Sequence, residues 1–351
     1  MRGTSASYDS GAPIPVAGFT ASSRPYNRRM RAIRFHSKGG PEVQQLDEIP
    51  IPSPGAGEIR IALRFAGVNF IDTYFRSGLY DPGPLPARVG KEGAGVVSAV
   101  GEGVVSPRVG DRVAFWDATG SYADEVLLPA ARALALPSEL SFELGAALPL
   151  QGMTAHYLVH GIRPVASGDT VLIHAAAGGV GLLACQLAKR AGARVFGTCS
   201  TPAKAELARA AGCDEVILYT ETSFAQVVLQ ATSGRGVDLT IDGVGQTTFL
   251  DSVRATRVRG TVIVFGQSSG MIAPFSPRPV LGSRTLVSAS LFDYARTPEE
   301  QALRSRFVFD LAASGALDVR IDSTFPLARA ADAHRRLESR STAGKLLIEI
   351  G

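Results

Sequence analysis

The segment Thr170–Ala191, TVLIHAAAGGVGLLACQLAKRA, decides the fold class of this chain. The apolar run Thr170–Ala175 is typical of a buried strand, and Val180–Ala191 has the length and composition of a helix. Three glycines separate the two runs. Glycines permit a tight turn there and let a pyrophosphate approach the free N–H groups at the helix start. The segment therefore predicts a dinucleotide-binding turn.

The glycines follow the pattern A-x-x-G-x-x-G, at Ala175, Gly178 and Gly181, and not the strict G-x-G-x-x-G. A glycine cluster alone is weak, because a simple strand–helix turn can also contain one. Its place directly between a strand and a helix makes it specific.

Strands and helices continue to alternate after this turn. The predicted strands are Arg194–Thr198, Glu215–Leu218, Asp238–Asp242 and Gly260–Phe265, and the helices between them are Pro202–Ala211, Phe224–Ala231 and Thr247–Val253. This alternation predicts an α/β fold with a doubly wound parallel Rossmann sheet.

The part of the chain before Thr170 has a different pattern of apolar and polar residues. Short β-rich runs at Met30–Phe35, Glu58–Ala66, Gly93–Val100 and Arg112–Trp116 predict a mostly β domain, a small barrel, before a helical stretch around Ser141–His160. The final strand, Lys345–Ile350, is expected to rejoin that domain. We expect a catalytic domain of residues 30–151 and 289–351, and a nucleotide-binding domain of residues 152–288.

Composition narrows the class of protein. The chain is 45% hydrophobic and 19% charged, without an uninterrupted apolar run long enough to span a bilayer. Residues 1–29 are rich in Ser, Gly, Pro and Arg, which is typical of a disordered tail, an organelle-targeting segment being the alternative. Four arginines and one aspartate there give +3 of the net +4, so the remainder is almost neutral and nucleic-acid binding is not indicated. Cys185, Cys199 and Cys213 are expected as buried apolar side chains in a cytoplasmic protein.

The end of the second strand indicates the cofactor. NAD sites usually place an acidic residue there for the ribose hydroxyls. Here Cys199, Ser200 and Thr201 follow the strand, with Lys204 shortly after. These residues suit a 2′-phosphate and favour NADPH, although Glu206 weakens the argument and Lys204 is also compatible with a solvated helix position.

A zinc site is not apparent in the sequence. Residues 30–150 contain no cysteine and a single histidine, His36, and Gly90-Lys91-Glu92 occupies the segment where zinc enzymes of this layout have Gly-His-Glu. Without a Lewis acid, an acceptor that stabilises negative charge itself, such as a quinone or an enone, is favoured over an alcohol.

From Met30 onward the sequence resembles the quinone oxidoreductase (zeta-crystallin) family of zinc-independent medium-chain reductases. The segments that carry the resemblance are NFIDTYFRSGLY (Asn69–Tyr80), HAAAGGVG (His174–Gly181), GTCSTPAK (Gly197–Lys204), FGQSSG (Phe265–Gly270) and LESRSTAGK (Leu337–Lys345). The resemblance implies a GroES-like first domain and an NADPH:quinone oxidoreductase.

The resemblance also implies roles for single residues. Asn69 and Tyr74 would line the nicotinamide and substrate pocket as the catalytic pair. The implied cofactor-binding residues are Ala177, Gly178, Gly179, Val180, Ser200, Lys204, Tyr219, Gly243, Phe265, Gly266, Gln267, Ser268, Leu291, Phe292 and Arg340. Ser200, Gln151 and Gln267 depart from residues common in the family, which affects affinity and not class.

Several alternatives stay open. NADPH-dependent reduction of α,β-unsaturated aldehydes or ketones is the second enzymatic hypothesis, and a crystallin-like structural or RNA-binding role is the third. One- and two-electron reduction are equally compatible with the sequence. Arg76 binds phosphate or pairs with a carboxylate, whereas His156 with His160 and Asp242 are interpreted as structural. The resemblance further implies a homodimer.

Overall fold

The computed structural model describes residues 28–351. The earlier residues, which hold most of the predicted tail, lie outside the described part of the chain. Within residues 28–351, sixteen strands in chain order, β1 to β16, are Arg29–Phe35, Gln44–Pro50, Glu58–Val68, Ala87–Arg88, Glu92–Val100, Arg112–Phe115, Glu125–Pro129, Leu134–Ala135, Thr170–Ile173, Arg194–Cys199, Glu215–Leu218, Val237–Asp242, Thr256–Val264, Thr285–Ser288, Ile321–Pro326 and Lys345–Glu349.

The same residues form eleven α-helices. In chain order, α1 to α11 are Phe70–Ser77, Phe142–Ala147, Pro149–His156, Gly179–Arg190, Pro202–Ala210, Phe224–Ala231, Phe249–Ala255, Pro277–Leu281, Leu291–Tyr294, Pro298–Ala313 and Ala330–Glu338. The helical stretch predicted around Ser141–His160 is divided into α2, α3 and a π-helical turn, because α2 ends at Ala147 and Pro149 begins a new helix.

A six-stranded parallel sheet has the order β11-β10-β9-β12-β13-β14. Numbered within the sheet, this is the 3-2-1-4-5-6 order of a Rossmann fold, so the predicted fold class is confirmed. The order reverses between β9 and β12. Ligands bind such sheets at the carboxyl ends of the strands that flank this reversal, which here are Ile173 and Asp242.

The part of the structure outside the parallel sheet contains two further β-sheets, built mainly from strands that come earlier in the sequence. A seven-stranded sheet runs β15-β16-β3-β5-β6-β8, with β7 also paired to β3, and a three-stranded sheet runs β2-β1-β4. Ile33 and Phe35 of β1 pack into the same core as Ile59 and Ile61 of β3, so the two sheets share one apolar interior. The C-terminal β16 lies between β15 and β3 and makes this part of the fold discontinuous in sequence.

Buried side chains follow the strand pattern that the sequence predicts. The parallel strands are buried on both faces, as Val171, Leu172 and Ile173 show. Cys185, Cys199 and Cys213 are all buried, which confirms the expectation that they are core side chains. No helix within residues 28–351 is both long and apolar enough to cross a bilayer.

Candidate functional site

A cleft of about 310 Å³ opens at the carboxyl ends of β9 and β12, at the reversal of the parallel sheet. Helix α1 from the first part of the chain forms its other wall. Of the predicted site residues, the cleft is lined by Asn69, Tyr74, Gly178, Gly179, Val180, Gly243, Phe265, Gly266, Ser268, Leu291 and Phe292. The structure therefore gathers residues from five segments of sequence at one site.

The glycine turn fits the close approach of a phosphate. A Cβ added to Gly181 would lie 2.2 Å from the carbonyl oxygen of Ala175, and one added to Gly179 would overlap the side chain of Gln151. Gly178 caps α4 without a side-chain hydrogen bond, and no acidic residue occupies the first turn. The N–H groups of that turn are thus free to bind an anion beside the positive end of the helix dipole.

Six predicted cofactor residues lie outside the walls of this cleft. They are Ala177, Ser200, Lys204, Tyr219, Gln267 and Arg340. Ser200 directly follows β10, and the Tyr219 N–H donates to the carbonyl of Cys199, so both residues stand at the end of the second Rossmann strand. This is the end of the sheet where the sequence predicts the 2′-phosphate site.

Lys204 is held by the C-terminal return of the chain. Its ammonium donates to the carbonyl oxygen of Arg340 at 2.6 Å, and the guanidinium of Arg340 donates to the carbonyl of Ser268 at 3.3 Å. Arg340 adopts a left-handed φ of 56°, which is uncommon outside glycine. Lys204 and Arg340 therefore form a chain of hydrogen bonds that leads from the start of α5 to Ser268 in the loop after β13.

Tyr74 faces the cleft from α1. Burial is the largest effect on the pKa of Tyr74 and raises it, so the hydroxyl stays protonated at neutral pH. Its ring contacts Tyr80 edge-on at a centroid distance of 5.3 Å, and the Tyr80 hydroxyl accepts a 3.4 Å hydrogen bond from the side chain of Gln267. Tyr80 thus connects Tyr74 of α1 with Gln267 in the loop after β13.

Asn69, the N-cap of α1, has both ends of its amide engaged. Its nitrogen donates to Glu92 at 2.9 Å and to the Gly67 carbonyl at 3.3 Å, and its oxygen accepts from Lys345 at 2.7 Å. The amide orientation is therefore fixed. Both N–H groups of the amide already donate within the protein, so Asn69 has no donor left for a bound group.

Glu92 and Lys345 were not among the predicted site residues. Their side chains are 0% and 1% exposed and form an ion pair of 2.6 Å, and the second carboxylate oxygen of Glu92 accepts from the Leu150 N–H at the start of α3. The signal that could have found them is a charged residue at the first position of an otherwise apolar strand, EGAGVVSAV in β5 and KLLIE in β16.

A second buried network lies behind α1. Arg76 donates to His334 Nδ1 at 2.8 Å and, because arginine has no acceptor, the neutral imidazole carries its hydrogen on Nε2, which lies 3.2 Å from the Tyr122 hydroxyl. Tyr122 donates to Asp72 at 3.1 Å. Arg76 also forms a salt bridge with Glu338. Of the two roles considered for Arg76, phosphate binding and carboxylate pairing, the structure shows carboxylate pairing.

Burial sets the protonation of this network. It raises the pKa of Asp72 to about 7, and together with the nearby Arg76 it lowers the pKa of His334 to about 3. His334 is therefore neutral, as its hydrogen bonds require. The network fixes α1 from behind, on the side away from Tyr74.

The contacts of Asp242, and of His156 with His160, are compatible with the structural roles expected for them. The Asp242 carboxylate accepts from the N–H groups of Val244 and Gly245, so it supports the turn after β12 as expected. The rings of His156 and His160 lie 5.4 Å apart, tilted by 56°, and both contact Phe307 edge-on. No group of three His, Cys, Asp or Glu side chains suited to a metal occurs in residues 28–351.

Comparisons with known proteins agree with this geometry. The alcohol dehydrogenase GroES-like domain profile matches residues 55–138, and the zinc-binding dehydrogenase profile matches residues 179–305. The quinone oxidoreductase of Pseudomonas aeruginosa is 39% identical over 91% of this chain and 99% of its own length. A 2-haloacrylate reductase from Burkholderia is 39% identical over 90% of this chain and 98% of its own.

The structural likeness is equally extensive. The crystal structure of Escherichia coli quinone oxidoreductase complexed with NADPH has a TM-score of 0.89 to this chain, at 40% identity, covering 91% of this chain and 99% of that one. This chain belongs to the quinone oxidoreductase family.

Proposed function

We propose that this protein is an NADPH:quinone oxidoreductase. The observation that carries the proposal is the cleft itself, where the glycine turn of α4 faces Tyr74 of α1 across a largely apolar space. The absence of an acidic residue at Cys199–Thr201, with Lys204 nearby, supports NADPH over NADH.

The residues present fit this cofactor. The first-turn N–H groups of α4 would hold the pyrophosphate, Ser200 and Lys204 the 2′-phosphate, and Gly243 with Gly266 would border the ribose and nicotinamide. When bound there, NADPH supplies the reducing equivalents. The chain contributes by orienting a flat acceptor against the cofactor in a cleft whose walls include Trp116, Leu291 and Phe292, which exclude water.

Tyr74 is proposed as the hydrogen-bond donor to the acceptor oxygen. Burial raises its pKa and keeps the proton on the hydroxyl, and Tyr74 lines the cleft in which an acceptor would bind. Asn69 cannot serve as that donor, because both of its N–H groups already donate within the protein. We therefore assign Asn69 to positioning and Tyr74 to contact with the acceptor.

Reduction of an activated carbon–carbon double bond is the second candidate activity. The similarity to a 2-haloacrylate reductase favours it, because a haloacrylate is an α,β-unsaturated acid. Such a reaction needs a proton at the α-carbon as well as a hydride at the β-carbon. Tyr74, whose hydroxyl is protonated and lines the cleft, is the candidate donor of this proton.

The experiment that separates these activities is a screen of NADPH oxidation with quinones and with enones, using NADH as the control cofactor. We expect the highest kcat/KM with a quinone and a strong preference for NADPH. A higher kcat/KM for enones would move the assignment to the second activity. Equal use of NADH would contradict the 2′-phosphate site at Ser200 and Lys204.

Zinc independence is part of the proposal. The segment Gly90-Lys91-Glu92 places a lysine where a zinc enzyme of this layout has histidine, and the ammonium of Lys91 lies 3.4 Å from Asp117. Quinone turnover is expected to survive exhaustive dialysis against a chelator. Metal analysis of the same sample checks that no zinc remains.

A homodimer is also proposed. Strand β14 lies at the end of the parallel sheet order, so its outer edge is available for pairing with a second copy. Light scattering coupled to gel filtration is expected to give twice the mass of one chain. A monomeric mass across the micromolar range would contradict this assignment.

A further inference from the structure

Two aromatic side chains on the wall of the cofactor cleft contact each other. Trp116 directly follows β6 and Phe292 lies in α9, and their ring centroids are 5.1 Å apart with the ring planes tilted by 55°. We propose that Phe292, held in place by Trp116, packs against the second ring of a fused-ring quinone and so favours two-ring acceptors over one-ring acceptors. This inference rests on the proposed quinone reduction and adds a residue that selects among quinones.

The ring of Phe292 is exposed although it lines the cleft. Among the described residues that line the cleft, Phe292 and Tyr80 are the exposed aromatic ones, at 41% and 39%. The Tyr80 hydroxyl is already bonded to Gln267, whereas the side chain of Phe292 has no polar atom. An exposed apolar ring gains free energy when a ligand ring covers it, and aromatic rings pair favourably over centroid distances of about 4.5–7 Å. Phe292 therefore presents an apolar surface that a flat aromatic ring can cover.

The surroundings of Phe292 hold its ring in one place. The Trp116 indole that contacts it is 4% exposed, and the indole N–H donates to the side-chain oxygen of Gln301 at 3.3 Å. Helix α9 itself is anchored by Tyr294, whose ring stacks on that of Tyr157 at a centroid distance of 4.6 Å with the planes 5° apart. A ring that is positioned before the ligand arrives loses little conformational freedom on binding, so more of the contact energy favours the ligand.

The place of Trp116 in the chain favours the acceptor as the group that meets this aromatic pair. The turn that fits the pyrophosphate, residues 178–181, belongs to the Rossmann part of the chain, whereas Trp116 comes before the parallel sheet in sequence. Tyr74, which is proposed to contact the acceptor oxygen, also comes from that earlier part. Trp116 therefore supports Phe292 from the part of the protein that supplies the acceptor contact.

The test compares two quinones that differ by one ring. In 1,4-naphthoquinone, an aromatic ring replaces the two methyl groups of 2,3-dimethyl-1,4-benzoquinone. At saturating NADPH, Phe292→Ala is expected to lower the ratio of kcat/KM for the naphthoquinone to kcat/KM for the benzoquinone about five-fold, because one aromatic contact is lost. Phe292→Tyr keeps the ring and should retain the wild-type ratio. The difference in intrinsic reactivity between the two quinones is the same for every variant and cancels when variants are compared.

Phe275→Ala is the matched control. Phe275 forms a similar tilted pair with Phe249, at 4.9 Å and 44°, but does not line the cleft, so this variant should leave the ratio unchanged. Trp116→Ala removes the support of Phe292 and should lower the ratio, whereas Trp116→Phe keeps an aromatic contact and should lower it less. Because Phe292 is exposed, Phe292→Ala is expected to fold even where Trp116→Ala does not.

Three results with Phe292→Ala would overturn the inference while quinone reduction itself stands. The ratio stays unchanged, or it rises, which would mean that the Phe292 ring obstructs the second ring of the quinone. The third result is an equal loss with both quinones together with a raised KM for NADPH, which would assign the side chain to the cofactor. A wild-type protein that turns over neither quinone contradicts the proposed function, and this inference with it.

Discussion

The ammonium of Lys345 lies 2.6 Å from a carboxylate oxygen of Glu92, and both side chains also bond to the amide of Asn69. A charge pair this deeply buried is costly to desolvate, and it contributes little net stability compared with apolar residues. The ion pair instead fixes the orientation of the Asn69 amide at the wall of the cleft. Strand β16 thereby contacts a residue of the cleft wall through the side chain of Lys345.

Lys345→Met is expected to destabilise the fold by about 3–5 kcal/mol, because it leaves the Glu92 carboxylate buried without its counter-charge. Chemical denaturation measures the free energy of unfolding. Lys189→Met is the matched control, since Lys189 pairs with Asp214 at 48% and 33% exposure and should cost about 1 kcal/mol or less. Adding Glu92→Gln to Lys345→Met should recover part of the loss; no recovery would contradict the ion-pair explanation.

Tyr74→Phe is expected to lower kcat/KM for a quinone about ten-fold, which corresponds to the loss of one hydrogen bond worth about 1.4 kcal/mol. Steady-state turnover at saturating NADPH measures it. The ring contact with Tyr80 is retained by phenylalanine, so the KM for NADPH should not change. Unchanged quinone turnover would remove Tyr74 from the reaction.

Lys204→Ala is expected to raise the KM for NADPH about ten-fold, because one charge-assisted contact to the 2′-phosphate is lost. NADH, which lacks that phosphate, provides the control within the same protein. Its KM should stay the same. A parallel loss with both cofactors would mean that Lys204 acts only by holding the Arg340 carbonyl.

Asp72→Asn is expected to change how stability depends on pH. The unfolded chain ionises Asp72 near its ordinary pKa of 3.8, whereas the folded chain does so near a pKa of about 7. Between these values the folded state holds a proton that the unfolded state lacks, so the contribution of Asp72 to stability falls as the pH rises from about 4 to 7, by about 1.4 kcal/mol per pKa unit.

The measurement is the difference in unfolding free energy between wild type and Asp72→Asn across this range. His334, whose lowered pKa has the opposite effect, is retained in both proteins and cancels in the comparison. Asparagine keeps the acceptor that caps the Asn69 N–H. Parallel stability curves for the two proteins would refute the protonated state of Asp72.

The sequence predicts most of the Rossmann half well, because each of the strands β9 to β12 is followed by a helix along the chain. It does not reveal the edge strands of the other half, such as β7 and β15, whose short runs carry mixed polarity. The cleft residues on the glycine turn are recognisable from local spacing. Glu92 and Lys345 are not, because their pairing joins positions far apart in sequence and depends on the return of β16.

The central place of β16 has a consequence for folding during synthesis. Leu346 pairs with Val68, a partner about 280 positions earlier, and the Gly344 N–H donates to the Ala177 carbonyl beside the glycine turn. While residues 344–349 are still inside the ribosome, the Phe65–Val68 part of β3 lacks its β16 partner, although β7 can already pair with Glu58–Ala62, and Glu92 has no counter-ion. The nascent Rossmann unit can then form before the sheet that precedes it in sequence is complete, and β3 is the strand most exposed to mispairing in the meantime.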